Sequence, residues 1–323
     1  MIELRIVTPR VLSAQALELL GDLQPVTNII VLRGAGLRPQ GDVILCDVAE
    51  EEASNIIYDL RNLGIDRKGS ISVGPPQTEL SRLAPDAEQA APGSASDAVV
   101  WEQVQDQTSE SAELSGSFLT FMIIAILIAA VGIYLNSAVL IIGAMIVGPD
   151  FGPIAGVCVA AINRQPAHAG KSLLALLAGY ALGIVAACLM TLMVKEAGII
   201  PERFDVVYRS VERSIAQTGF FPVLIALLAG TAGMLSLTTA RSGALIGVLV
   251  SVTTIPAAAS IAVTIAYSQN AMFWASLLQL VTNVGAMLLA GIAILAVQRM
   301  LFRRRRGAHL RELTRRENRA QPQ

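Results

Sequence analysis

Apolar and polar positions change period along this chain, and then polarity largely disappears. Leu4-Arg5-Ile6-Val7 alternates as a half-buried strand does. Val11, Ala14, Leu17, Leu20 and Leu23 recur at helical spacing. Val26–Leu32 and Asp42–Val48 read as strands, with Gly34-Ala35-Gly36 turning between them. Glu51–Leu63 is helical, with Ile56, Ile57, Leu60 and Leu63 on one side, and Gly64 stops it. Ser70-Ile71-Ser72-Val73 is a last strand, closed by Gly74-Pro75-Pro76. The order β-α-β-β-α-β predicts a ferredoxin-like α+β domain over 1–76. Such a fold hosts many functions and specifies none.

Residues 77–116 are acidic and rich in Ala, Ser and Pro, and Ala90-Ala91-Pro92-Gly93-Ser94-Ala95-Ser96 reads as a flexible linker. A short polar helix is predicted from Val99 to Leu114, with Trp101 as a candidate interface anchor. Beyond it, 117–301 is read as a transmembrane domain of six apolar spans, each near the roughly 20 residues a bilayer requires. They are Ser117–Leu135, Ser137–Ile162, Ser172–Val194, Phe220–Leu237, Gly243–Ala266 and Phe273–Leu301. These form two triplets, about 117–195 and 220–301, with starts offset by roughly 105 residues. Ser137, Leu140 and Ile141 correspond to Ser242, Leu245 and Ile246. Ser172-Leu173-Leu174-Ala175-Leu176 corresponds to Ser276-Leu277-Leu278-Gln279-Leu280. Three spans is an odd number, so the second triplet is expected to be inverted relative to the first.

The second span is broken by Gly148-Pro149-Asp150-Phe151-Gly152-Pro153. In hydrocarbon the freed backbone groups need protein or a wet cavity around them. Asp150 lies in the break, the only Asp, Glu, Lys, Arg or His between Ser117 and Ile162, and an acid at membrane depth points to a functional site. The fifth span repeats the pattern with Thr253-Thr254-Ile255-Pro256, and the sixth adds Gln279 and Asn283 on one helix face. The predicted midplane site for a small solute or ion therefore joins Gly148, Pro149, Asp150, Pro153, Thr253, Thr254, Pro256, Gln279 and Asn283. Each has a structural alternative. Asp150 can cap the half-helix after it. Thr253 and Thr254 can satisfy the backbone beside a proline. Gln279 and Asn283 can bond neighbouring helices or an oligomer partner. Gly143 and Gly148 are expected to serve close helix packing.

Asn136-Ser137, Ile142-Gly143-Ala144-Met145-Ile146 and Gly152-Pro153-Ile154 together resemble the signature of a bacterial and archaeal family of uncharacterised hydrophobic proteins, a domain of unknown function. The resemblance extends over about Leu119–Leu301. It implies a multi-pass protein of the bacterial cytoplasmic membrane and brings no substrate or reaction. Its pattern does not reserve the place of Asp150 for an acid.

The composition fits this reading: 54% hydrophobic residues, 15% charged, and a mean hydropathy of +0.59. Charge is divided. Residues 1–116 hold 8 Lys/Arg and 18 Asp/Glu, a balance of −10, and the remainder holds 16 and 7, a balance of +9. The basic loops at Arg164, Lys171 and Arg241, with the tail 302–323, place both termini in the cytoplasm by the positive-inside rule. Lys195–Gly219 then faces outward, as an amphipathic surface helix. Arg303, Arg304, Arg305 and Arg306 are expected to hold anionic lipids rather than nucleic acid. Cys46, Cys158 and Cys188 have no disulfide or metal-ligand spacing. His168 and His309 are far apart, so no metal or other cofactor is expected. Glu50-Glu51-Glu52 reads as a helix start favoured by the dipole. No Ser/His pair, HExxH or paired intramembrane carboxylates point to an enzyme. Two function classes remain. One is a transporter or channel-like protein with a regulatory head. The other is a non-transporting scaffold or sensor whose head binds a ligand or partner. A homo-oligomer is expected in both.

Overall fold

The structure, a computed structural model, describes residues 1–76, 85, 87, 101, 104–106, 108, 113–200, 219–239 and 253–320, with side chains beyond 302 left aside. It divides into two compact units, 1–104 with 301–323, and 105–300.

The first unit is built on a four-stranded antiparallel sheet. Its elements are β1 (Ile2–Thr8), α1 (Arg10–Gly21), β2 (Val26–Leu37), β3 (Gln40–Val48), α2 (Glu50–Asn62), a one-turn α3 (Ile65–Lys68) and β4 (Ser70–Pro76). The strand order is β2-β3-β1-β4, so α1 and α2 each cross over a central strand. Ile2, Leu4 and Ile6 alternate into the core and meet Leu20, Ile56 and Leu60. Gly64 ends α2 at a φ of +77°, the left-handed conformation the stop required.

Two expectations for this unit need correction. The β2–β3 turn falls at Arg38-Pro39, and Gly34-Ala35-Gly36 lies within β2 instead, where the register with β3 slips. The slip absorbs the left-handed Gly34, at φ +68°, which a regular strand cannot contain. On α1 the buried positions are Ser13, Ala16 and Leu20, and Val11 is 87% exposed. The buried face is thus rotated from the expected one, and the Ser13 hydroxyl on it bonds the Asp42 carboxylate. Glu50, Glu51 and Glu52 do form the first turn of α2, as their charge favours. Trp101 is part of this unit, and its amide donates to the Ser54 hydroxyl on α2 at 3.2 Å.

The second unit is helical: α4 (Gly116–Tyr134), α5 (Ala138–Val147), α6 (Phe151–Ile162), α7 (Pro166–Glu196), α8 (Phe220–Thr238), α9 (Thr254–Ala266) and α10, which starts at Asn270 and runs to Ala320. Four of these, α4, α7, α8 and α10 through Phe302, are long and apolar enough to cross a membrane. The second expected span is the pair α5 and α6, bent by 46° at Gly148-Pro149-Asp150. Of the fifth, only α9, 13 residues long, lies within the described residues. Six full spans are thus not what the described residues contain; they contain four, or five with the bent pair. Residues 201–218, expected to form the surface helix, and 242–246, used for the repeat comparison, lie outside the described residues.

Small residues let these helices approach. A Cβ on Gly179 of α7 would stand 3.0 Å from the Phe118 ring on α4, and one on Gly132 of α4 2.8 Å from Ile141 on α5. Gly230 of α8 likewise abuts the backbone of Met287 on α10. The short loops share one turn. Asn136, Arg164 and Ser268 each take a positive φ, and the next amide reaches back to the carbonyl five residues earlier, at 2.9 Å in all three. Polar side chains bridge the helices, as in Tyr134 with Thr191 and Ser260 with Ser276.

Candidate functional site

The break in the second span is a bend where one helix ends and the next begins. α5 finishes at Val147, and Gly148, at φ −70° and ψ 123°, turns the chain out of the helix. α6 restarts at Phe151 with Asp150 in the capping position. Pro153 is the third residue of α6, and Pro256 the third of α9. The first four amides of a helix have no partner within it, so a proline there removes no hydrogen bond. Both prolines therefore start half-helices and shape the backbone around the site. Gly148 has the packing role expected of it: a Cβ there would stand 2.8 Å from Ile255 of α9. Gly143 does not, since a Cβ added to it meets nothing within 4 Å among the described residues. Pro149 is half-buried between the two half-helices.

Asp150 is 5% exposed and makes no side-chain capping bond to α6. Its carboxylate instead faces two other helices. Oδ2 accepts from the Tyr180 hydroxyl of α7 at 2.8 Å and from Thr254 Oγ1, the first residue of α9, at 2.6 Å. Among the described residues no Lys, Arg or His pairs with it. One peptide bond away, Thr253 Oγ1 accepts from two carboxamides of α10. Gln279 Nε2 lies 2.9 Å from it and Asn283 Nδ2 3.2 Å. The threonine hydroxyls thus bond side chains of other helices and make no capping bond to α9. Gln279 and Asn283 are each 2% exposed, and their carbonyl oxygens Oε1 and Oδ1 have no hydrogen-bond partner among the described residues.

Two clusters result, joined at the start of α9: an acid held by two neutral hydroxyls, and a hydroxyl held by two amides with two bare oxygens left over. Residues 145–289 match a family model described as a domain of unknown function, DUF389. The match holds every residue of both clusters, and it begins inside the motif, after Asn136–Ala144. It is shorter than the expected Leu119–Leu301 and attaches no activity to the site. No curated protein and no solved structure matches the chain.

Tyr180 is the site residue that sequence reasoning missed. It sits mid-span in an apolar run, whereas tyrosines of membrane helices concentrate at the interfaces, and that misplacement was the available signal. A separate cavity of about 330 Å³ was also not foreseen; Gln105, Glu113, His168, Lys171 and Ser172 are among its lining residues, and none of the cluster residues is. No group of three or more His, Cys, Asp or Glu that could hold a metal occurs among the described residues.

Proposed function

We propose that this multi-pass protein moves a small cation, or a solute coupled to one, through a site at the meeting of its broken helices, with Asp150 as the coupling residue. The observation that carries the reading is the surroundings of Asp150. A carboxylate buried among three helices, accepting from two neutral hydroxyls and with no cation on it among the described residues, is an expensive arrangement that a mobile positive charge relieves.

Helix boundaries support two equivalent triplets. α4 and α8 are each 19 residues long and start 104 positions apart, at Gly116 and Phe220. The left-handed Arg164 and Ser268 repeat with the same offset, as do Pro166 and Asn270 at the starts of α7 and α10. On this register Asp150 corresponds to Thr254, the residue it is bonded to. Equivalent residues touch each other only near the axis that relates two repeats, where inverted-repeat carriers hold their ligands. In this reading the second triplet is inverted and both termini face the cytoplasm. The sheet unit then regulates transport from inside, and the arginines at 303–306 anchor the tail to anionic lipid.

The test is charge movement by reconstituted protein on a solid-supported membrane, after jumps of pH or of alkali-metal chloride. Wild type should give a transient current. Asp150→Asn should give none while melting as a folded protein. A wild type silent to all jumps, or an Asp150→Asn current equal to wild type, would return the chain to the scaffold or sensor class.

A further inference from the structure

The proposed function leaves the nature of the cation open, and the second cluster bears on it. Gln279 and Asn283 lie one turn apart on α10, so their carboxamides project from one face. Both direct their nitrogens at a single hydroxyl, Thr253 Oγ1, and both keep their oxygens buried with no donor among the described residues. Buried acceptors are almost always satisfied, so a pair of adjacent ones left bare needs an explanation. Among the described residues no donor is supplied there. Neutral carboxamide and hydroxyl oxygens are the ligands hard cations take. The charge of the occupant follows from the neighbourhood. Asp150, bonded to the residue next to Thr253, supplies at most one negative charge, with no Lys, Arg or His on it among the described residues. One charge is balanced by a monovalent ion, and a divalent ion would leave an excess.

The geometry points to a monovalent alkali-cation site. We infer that Gln279 Oε1, Asn283 Oδ1 and the Thr253 hydroxyl coordinate a partly dehydrated ion whose charge Asp150 balances. This deepens the reading above and rests on it for the role of Asp150. Tyr180 and Thr254 position the carboxylate and leave the ion to the amide oxygens.

The test uses full-length protein in detergent at constant ionic strength, replacing choline chloride with sodium, lithium or potassium chloride. At least one alkali ion should raise the melting temperature saturably, as a ligand of the native state does. Gln279→Met and Asn283→Leu should abolish that rise. In choline alone both variants should melt at or above wild type, because each removes an unpaired buried oxygen together with its amide. Asp150→Asn should also lose the rise. Gln298→Met is the control: its oxygen is likewise unpartnered, its amide bonds Thr238, and its response should stay that of wild type. A wild type indifferent to all three ions would show that ordered water satisfies the oxygens and would overturn the inference. So would an unchanged rise in both amide variants. Proton-driven currents without alkali-ion binding would remove this inference and keep the transport reading. Alkali-ion binding without any current would keep the site and remove transport.

Discussion

Asp42 and Asp150 are two buried carboxylates, 7% and 5% exposed, and the chain answers their charge in opposite ways. Asp42, at the start of β3, accepts from the Gly34 amide at 2.7 Å, with the Ser13 hydroxyl and the cations Arg10 and Arg33 nearby. Its partners are fixed donors and positive charges of its own fold, and its work is to hold the β2 bulge. Asp150 has two hydroxyls and, among the described residues, no cation. A hydroxyl orients a carboxylate without neutralising it, so the charge remains available to something that arrives and leaves. Burial alone therefore does not mark a functional acid. What marks it is which term of the electrostatic balance the fold leaves out.

Each acid has a nearby glycine, and these separate the two surroundings most strongly. A Cβ on Gly41 would lie 2.1 Å from the Thr8 carbonyl oxygen, a backbone atom that cannot step aside. Gly41→Ala should cost about 3 kcal/mol or more, read as lost hydrogen-exchange protection of β1 and β3 in the full chain. Tyr180→Phe removes one of the two donors to Asp150 and should lower stability by about 1–2 kcal/mol, less than its burial suggests because the hydroxyl never supplied charge. An effect at or below a few tenths of a kcal/mol would mean that the hydroxyl does not hold the acid. Gly148→Ala is crowded by the side chain of Ile255, with Ala125 at ordinary contact, so its cost should be partly recovered in the double variant with Ile255→Ala. A coupling of about 1 kcal/mol in a double-mutant cycle is expected. The smallest effect is on pH dependence. The Gly34 amide, then the Ser13 hydroxyl, hold the Asp42 carboxyl below its ordinary value of 3.8 against the opposing pull of burial. A depressed pKa gives stability that is complete above the unfolded value and lost as pH falls through the folded one. Protection of the sheet should thus decline below about pH 5, and Asp42→Asn should flatten that decline.

Most of the candidate site was legible because polar residues in long apolar runs stand out. Asp150, Thr253, Thr254, Gln279 and Asn283 interrupt apolar runs, and the structure brings all five into two bonded clusters. Their pairing was not legible, since nothing in the spacing says that Thr253 and Thr254 divide between two partners. Tyr180 escaped because a tyrosine counts as apolar in a span until its hydroxyl has somewhere to go. In the sheet unit the periods located the strands and helices. The local details were decided by side chain to backbone bonds, such as Asp42 to the Gly34 amide, that periodicity does not encode.

The bend between α5 and α6 has an electrical meaning as well. In the proposed reading the pair crosses the membrane as one span with arms of 10 and 12 residues, which puts Asp150 near the middle of the voltage drop across a polarised membrane. An ion reaching it from either side does roughly half the work of a full crossing, about 1 kcal/mol per 100 mV. Occupancy of the site would then follow the membrane potential by several-fold over the physiological range, even with nothing else in the protein moving.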